Sequence, residues 1–135
     1  MKTSGKTGLH VAVPIRRTLT FEVVREIAHV VGARLVRAHP QAVTLEWSIG
    51  KRTGKVFIDA NMNVRGKSMT APYSPRGLPG APVSMPLEWT DLAQAGVGDF
   101  HVANVPAKVA REGDAWARWL SRKSSVEAAL AATAR

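Results

Sequence analysis

The segment TFEVVREIAHVVGARLV, residues 20–36, predicts the one long helix of the chain. Its apolar residues recur at three- and four-residue intervals, which places their side chains on one helix face. These residues are Phe21, Val24, Ile27, Ala28, Val31 and Leu35. Thr20 precedes the first of them, and a threonine hydroxyl is a common N-cap. We therefore expect a helix that begins at Thr20 and ends at Val36.

Short β-rich segments lie on both sides of this helix. Before it, LHVAVPI at residues 9–15 alternates as a strand does, and Pro14 marks an end or an edge of that strand. After it, residues 43–47 and 55–58 are predicted strands separated by the turn-like SIGKRTG, and residues 68–73 are a third candidate. Together these segments predict an α+β fold, with a mixed or antiparallel sheet and flanking helices.

The second half of the chain has weaker signals. Residues 72–86 contain five prolines and two glycines, which predicts an ordered surface loop without regular structure. Short helices are expected at about residues 89–95, 105–111 and 115–120. We expect the domain to cover residues 1–120, and the alanine-rich residues 121–135 to form a helical or frayed tail.

Composition limits the class of protein. A chain of 135 residues with 45% hydrophobic content suits a single domain with one core. The 19 basic residues exceed the 10 acidic ones, and the net charge of +9 attracts polyanions such as nucleic acid, nucleotides or an anionic membrane surface. The absence of cysteine excludes disulfides and thiolate metal sites. No apolar stretch reaches the roughly 18 residues of a membrane span, and no signal pattern is visible, so a cytoplasmic protein is the simplest prediction.

The stretch TSGKTGLHVAVP, residues 3–14, contains GKT, but it is not a phosphate-binding loop of the Walker type. Such a loop needs an earlier glycine and a following helix, whereas a strand is predicted here. Ser4, Lys6 and the backbone amides up to Gly8 could still hold phosphate oxygens, with His10 on the adjoining strand. The alternative is a fraying terminal loop with an ordinary strand histidine, and spacing alone favours it slightly.

The stretch KVFIDANMN, residues 55–63, places Asp59 directly after an apolar strand. A carboxylate at a rigid strand end is often a metal ligand. It is equally a turn residue, because Asp before Asn61 and Asn63 can bond to the following backbone, and this second interpretation is the more common. The ten acidic residues contain no Asp-x-Asp pair, so no local motif builds a two-metal site.

Two arginines flank Asp59 in the sequence. Arg52 precedes the strand and Arg76 follows it, and a triphosphate needs guanidinium groups on several sides. Solvated surface arginines are the alternative, and for the wider basic set both nucleic-acid contact and solubility are open explanations. That set is Lys51, Arg52, Lys55, Arg65, Lys67 and Arg76. The tryptophans at 47, 89, 116 and 119 are expected to pack in a core or interface rather than stack on bases.

Four motifs in fixed order carry a resemblance to a known family. They are SGKTGLHVAVP, R-x-GKVFIDANMN, RGKSMTAPYSPRGLPGAPVSMPLEWTDL and FHVANVPAKVAREGD. In this order they resemble the polymerase domain of bacterial ligase D, the primase-like polymerase of non-homologous end joining. The resemblance covers residues 3–120 and corresponds to the C-terminal half of that domain.

The resemblance implies a partial primase-like palm of the archaeo-eukaryotic primase fold, which binds a nucleoside triphosphate and two divalent metals, Mn²⁺ or Mg²⁺, at DNA ends. It assigns Ser4, Lys6 and His10 to the nucleotide-binding loop and strand, although Lys6 is displaced by one position. It assigns Asp59 to the third metal-binding carboxylate. Arg52 and Arg76 match arginines that hold the triphosphate. It implies Ku and a DNA ligase as partners, and a nucleoid location. Met62 stands where some members carry a glutamine near the nucleotide.

The family's Asp-x-Asp pair lies upstream of the residues matched here, so the resemblance implies an incomplete catalytic set. A split gene, a piece of a longer enzyme and a decayed remnant would each explain this. Half a palm would also leave a sheet edge or core face uncovered, so we expect a second chain or a homodimer to cover it. Two functions follow as hypotheses: the nucleotide-binding half of a nucleotidyltransferase, or a non-catalytic basic module that binds nucleic acid or nucleotide.

Overall fold

The computed structural model describes residues 1–96, 98–121 and 123–128. Its strands are β1 (Lys2–Thr3), β2 (Leu9–His10), β3 (Val43–Thr44) and β4 (Val56–Phe57), and its helices are α1 (Phe21–Ala38) and α2 (Val105–Glu112). Short 3-10 helices lie at Ile49–Lys51, Ala60–Met62, Trp89–Ala93 and Trp119–Ser121. The predicted α+β class is confirmed. The chain divides into two compact units, which we name by their place in the sequence alone: the outer unit is residues 1–16 with the described residues from 69 onward, and the inner unit is residues 17–68.

Helix α1 organises the inner unit and confirms the helix predicted from periodicity. The hydroxyl of Thr20 accepts a hydrogen bond from the amide of Val23, as expected for the N-cap. The helix continues two residues beyond the predicted end. Gly32 is its buried residue, and it lies against the side chain of Leu45, so a side chain at this position would collide with Leu45.

Only part of the apolar face of α1 is covered. Val24, Ile27 and Ala28 are half-buried. Phe21, Val31 and Leu35 from the same predicted stripe are 56%, 52% and 43% exposed. An apolar stripe of this kind normally faces a core, so α1 presents uncovered apolar surface.

The strands of the inner unit are shorter than predicted. β3 and β4 pair in parallel, with Val43 opposite Val56 and Thr44 opposite Phe57. The predicted strand 43–47 ends at Thr44. The Thr44 hydroxyl accepts a hydrogen bond from the amide of Glu46, so that amide is not available to a strand partner. In the outer unit β1 and β2 pair antiparallel, so the described strands form two separate two-stranded sheets, one parallel and one antiparallel.

The core of the outer unit is formed by VSMPL, residues 83–87, and here the prediction of a surface loop is wrong. Val83, Met85 and Leu87 are 2–3% exposed and pack with Met1, Phe100 and Val105. Proline lacks an N–H, but every other amide of this segment is bonded. The acceptors of residues 83, 84, 85 and 87 are the carbonyl of Phe100, the carbonyl of Ser74, the hydroxyl of Thr3 and the carbonyl of Met1. The prolines therefore do not prevent burial.

The start of the chain is also buried, so the alternative of a fraying terminal loop is wrong. Met1 is 7% exposed, and Lys2 and Thr3 are fully buried. The Met1 carbonyl accepts hydrogen bonds of 3.0 Å from the Leu87 amide and the Trp116 indole. The predicted strand at residues 9–15 is regular only at Leu9–His10, which pairs with β1.

The remaining predictions have mixed outcomes. Helix α2 confirms the helix at 105–111, whereas the predicted helices at 89–95 and 115–120 are 3-10 helices, Trp89–Ala93 and Trp119–Ser121. The strand predicted at 68–73 is wrong, because these residues form no strand and Tyr73 has a φ of 61°. Trp116 and Trp119 stack at 4.5 Å and are half-buried, but Trp47 and Trp89 are each 64% exposed.

Most of the predicted tail, residues 121–135, lies outside the described residues. No helix within the described ranges has the length and apolar character of a membrane span.

Gly5 is a position where a side chain cannot be accommodated. Its φ is +68°, and an added Cβ would lie 2.7 Å from the Arg76 side chain and 3.1 Å from the Ser84 amide nitrogen. We expect Gly5→Ala to lower the free energy of unfolding by about 2 kcal/mol, because left-handed backbone strain and a backbone contact add up. Urea denaturation of the purified chain measures this loss.

Gly8→Ala in the same loop is the matched control. No atom lies within 4 Å of its added Cβ, so we expect a change of less than about 0.5 kcal/mol. Equal losses in the two variants would show that the loop is not packed against residues 83 and 84 as described.

Candidate functional site

A buried lysine connects the first strand pair of the outer unit to its core segment. Lys2 and His10 are opposite each other in β1 and β2, and the Lys2 Nζ lies 2.9 Å from the His10 Nδ1. The same Nζ donates a 2.5 Å hydrogen bond to the Ser84 hydroxyl. Ser84 in turn donates to the Thr3 carbonyl at 2.7 Å. One ammonium group thus joins β1, β2 and the VSMPL segment.

Burial and nearby positive charge act on this lysine and its partner. Burial, with a smaller contribution from the Arg76 charge, lowers the pKa of Lys2 to about 8. Burial lowers the pKa of His10 below its ordinary value, and the positive charges of Lys2 and Arg76 lower it further by smaller amounts. We call Lys2, His10 and Arg76 the basic cluster. Within the described ranges, no carboxylate forms an ion pair with any of its members.

Arg76 is held in place by a folded arm next to VSMPL. Its amide donates to the Pro82 carbonyl at 2.8 Å, and Pro75 pairs with Val83 in an antiparallel bridge. The stem of its side chain lies against Gly5, and its Nη1 donates to the Thr70 hydroxyl. The guanidinium is therefore fixed beside the Ser4 loop, although it follows Gly5 by more than seventy residues in the sequence.

The Ser4 loop closes on itself. The Ser4 hydroxyl accepts hydrogen bonds of 3.1 Å from the amides of Lys6 and Gly8, and the Ser4 amide donates to the Gly8 carbonyl at 2.8 Å. Those two amides are therefore engaged within the loop, and the Ser4 hydroxyl keeps its own hydrogen for donation. The Lys6 side chain is exposed and contacts none of the described residues through a hydrogen bond.

Arg52 lies in the inner unit and packs on aromatic rings. Its guanidinium carbon is 3.9 Å from the centroid of Phe57 and 6.0 Å from that of Trp47, and its Nη2 donates to the Trp47 carbonyl. Its Nε is buried and has no hydrogen-bond partner in the part of the chain that the structure describes. Cation–π contact and one backbone bond therefore fix the orientation of this arginine.

Asp59 caps the 3-10 helix Ala60–Met62. Its Oδ1 accepts a 3.0 Å hydrogen bond from the Asn61 amide, which is the turn interpretation of the sequence. The side chain is exposed, and its Oδ2 has no partner among the described residues. Asn61 also lies 3.0 Å from the His29 Nε2, which ties this turn to α1. Met62 is 38% exposed.

Asp59 could supply one hard oxygen ligand to Mg²⁺ or Mn²⁺, which prefer such ligands. A complete site needs more: no group of three His, Asp or Glu side chains positioned to hold a metal occurs among the described residues. Among the described residues, this turn therefore offers one candidate metal ligand and not a whole metal centre.

Sequence reasoning missed Lys2 and Ser84. A lysine at the second position of a sequence predicts exposure, and a serine between prolines predicts a loop. The available signal was a short segment, KTSG at residues 2–5, followed by a glycine-containing turn and the strand-like LHVAV at residues 9–13. Two such segments can pair as a hairpin, which places Lys2 and His10 on one face.

Comparison with known proteins places the chain in a family. The family described as "LigD, primase-polymerase domain" matches residues 1–116. The chain belongs to this family. The multifunctional non-homologous end joining protein LigD of Pseudomonas aeruginosa is 30% identical over 133 residues, 96% of this chain and 16% of that protein. The corresponding DNA repair protein LigD of Mycobacterium tuberculosis is 34% identical over 112 residues, 83% of this chain and 15% of that protein.

A solved structure supports the same assignment. The polymerase domain from Mycobacterium tuberculosis ligase D, in complex with DNA, matches with a TM-score of 0.82 and 32% identity. The match covers 91% of this chain and 43% of that chain. This LigD-family chain therefore spans less than half of the polymerase domain it resembles and about a sixth of the curated LigD proteins it matches. The resemblance drawn from the sequence is confirmed.

The buried Lys2 makes stability depend on pH. Its pKa is about 8 in the folded chain and 10.5 in the unfolded chain, so the unfolded chain binds more protons between these values. The free energy of unfolding should therefore rise with pH across this window, by up to about 3 kcal/mol. Urea denaturation at pH 8, 9 and 10 measures the rise, and Lys2→Met should lack it.

Lys6→Met is the control, because the Lys6 side chain is exposed. It should keep the pH dependence of the parent chain. If Lys2→Met and the parent chain had parallel stability profiles between pH 8 and 10, Lys2 would not be buried as described.

Proposed function

We propose that this chain provides the triphosphate-binding part of a nucleotidyltransferase that extends DNA ends in non-homologous end joining. Membership of the LigD primase-polymerase family supports the reaction class. The observation that carries the proposal is the basic cluster: three basic side chains act on one another electrostatically, and none forms an ion pair with a carboxylate of the described residues.

The electrostatics of the cluster favour an anionic ligand. Positive groups that share a partly buried site repel one another, and this repulsion contributes to the lowered pKa of both Lys2 and His10. A phosphate oxygen would supply the missing opposite charge in an environment where charge interactions are stronger than in water. Binding of a polyanion should therefore stabilise the protonated form of Lys2.

The geometry offers hydrogen-bond donors of the right kind. Arg76 presents a planar fork that matches phosphate oxygens, the Ser4 hydroxyl retains a hydrogen, and the exposed Lys6 side chain adds an ammonium group. Charged and neutral donors converge in this way in sites that hold triphosphates. Ser4, Lys6, His10 and Arg76 are the residues that we propose for the triphosphate.

The metal is a further part of the proposal. We propose that Asp59 is one ligand of Mn²⁺ or Mg²⁺ and that the remaining carboxylates come from sequence outside these residues. When bound, such ions activate the primer hydroxyl and neutralise charge on the transferred phosphoryl group. For Arg52 we propose the role that the family resemblance implies, which is contact with the triphosphate. Its contacts with aromatic rings orient the guanidinium.

DNA ends are the proposed second ligand. The net charge of +9 favours contact with phosphate backbones, and the matched mycobacterial domain is a DNA complex. Ku and a DNA ligase remain proposed partners through the family. The same charge favours a second candidate, a non-catalytic module that binds nucleic acid or nucleotide. Salt-dependent DNA affinity without nucleotide addition, even when the missing carboxylates are supplied by a second chain, would identify it.

Titration of the full chain with ATP by calorimetry tests the proposal. We expect Arg76→Ala and His10→Ala each to weaken ATP binding by roughly 10- to 100-fold, because each removes a hydrogen bond to a charged group. Adenosine should bind much more weakly than ATP, since it lacks the triphosphate.

Arg118→Ala is the matched control, because Arg118 is an exposed arginine of the same unit. It should bind ATP as the parent chain does. If all three variants lost affinity equally, the net charge of the surface and not the basic cluster would explain binding, and the module hypothesis would be favoured.

Mn²⁺ alone tests the role of Asp59. Paramagnetic Mn²⁺ should broaden the backbone amide NMR signals of residues 59–63 in the parent chain, because Mn²⁺ favours carboxylate oxygens. Asp59→Asn should abolish this broadening while keeping the cap, since an asparagine oxygen can also accept from the Asn61 amide.

Asp99→Asn is the control, because this carboxylate similarly accepts a backbone hydrogen bond, from Gly96. It should leave the broadening of residues 59–63 intact. Broadening that persists in Asp59→Asn would remove Asp59 from the proposed metal ligands.

A further inference from the structure

Lys2 contacts His10 through one of the two ring nitrogens of the histidine. The two side chains face each other across β1 and β2, with the Lys2 Nζ 2.9 Å from the His10 Nδ1. Lys2 is fully buried, and His10 is half-buried. The His10 Nε2 has no hydrogen-bond partner within the described part of the chain. One ring nitrogen is therefore engaged with the protein, and the other is available to a ligand.

The direction of each hydrogen bond follows from the donors and acceptors present. Ser84 has one hydroxyl hydrogen, and it is donated to the Thr3 carbonyl at 2.7 Å. The Ser84 oxygen must then accept from Lys2. An ammonium group has three donors and no acceptor, so Lys2 also donates to His10. The His10 Nδ1 can accept only if it carries no proton.

The protonation states at neutral pH agree with this arrangement. The lowered pKa of His10 keeps its ring neutral, and the pKa of Lys2, about 8, leaves that side chain mostly protonated at pH 7. Lys2 and Arg76 are the charged groups that act on His10, and both are positive. A neutral ring with an unprotonated Nδ1 must carry its proton on Nε2.

We propose that Lys2 is a positioning residue that holds His10 in the Nε2–H tautomer, so that His10 presents a hydrogen-bond donor to an oxygen of the triphosphate. The ligand part of this proposal rests on the proposed function, whereas the tautomer does not. An Nε2 that already carries a proton cannot take one from the primer hydroxyl. His10 is thus a donor to the ligand and not a general base.

NMR of the imidazole nitrogens in the full chain tests the tautomer directly. At pH 7 we expect the His10 Nδ1 to show the chemical shift of an unprotonated nitrogen and Nε2 that of a protonated one. In Lys2→Met the donor is lost, and the two tautomers should become mixed. His10→Gln assigns the signals, and unchanged signals of His101 show that the variant is folded.

Two results would overturn the proposal. One is a protonated Nδ1 in the parent chain at pH 7. The other is an unchanged Nε2–H tautomer in a folded Lys2→Met variant, because then Lys2 would not determine where the proton lies.

Affinity for inorganic triphosphate separates positioning from simple charge. Lys2→Met should weaken binding by about tenfold in the parent chain and by clearly less in the His10→Ala background, because the effect passes through His10. An equal loss in both backgrounds would mean that Lys2 acts by its charge alone, which contradicts the ligand part of the proposal. If triphosphate does not bind at all but the tautomer depends on Lys2, the proposed function fails and the positioning role stands.

Discussion

The burial of the Lys2 ammonium is the constraint on which the outer unit depends. An isolated buried charge is costly unless hydrogen bonds compensate it, and here the acceptors come from two distant parts of the chain. His10 supplies a ring nitrogen from the next strand, and Ser84 supplies a hydroxyl from the core segment. The Lys2 ammonium therefore links β1, β2 and VSMPL and also adds a positive charge to the basic cluster. Structure and proposed function share one interaction.

The inner unit depends on a different kind of contact. Helix α1 packs on the segments that carry Leu45 and Asn61, and through the second of these it supports the turn that Asp59 caps. Much of its predicted apolar stripe nevertheless remains exposed, at Phe21, Val31 and Leu35. The chain covers 43% of the polymerase domain that it matches. Exposed apolar surface of this extent on one helix is the kind of surface that marks an interaction site.

The sequence predicted those features that depend on local patterns. Helix α1 followed from apolar spacing and a threonine cap, because both signals lie within one segment. The burial of VSMPL could not be predicted in this way, since the partners that satisfy its amides, Met1, Thr3 and Phe100, are distant in sequence. Lys2 was missed for the same reason: its burial is compensated by residues 10 and 84. Ser4, His10 and Arg76 were identified as candidates from the polar loop, from the arginines that flank Asp59 and from the family motifs, whereas their proximity to a buried lysine became visible only in the fold.

We propose that the basic cluster binds the triphosphate, and chemical-shift mapping of the full chain with inorganic triphosphate is the decisive experiment. We expect the largest shifts at Lys2, Ser4, His10 and Arg76, and we expect them to saturate and to be competed by ATP. Shifts spread over exposed lysines and arginines throughout the chain, or centred on other residues, would contradict it and would show that the charge of this chain attracts anions without a built site.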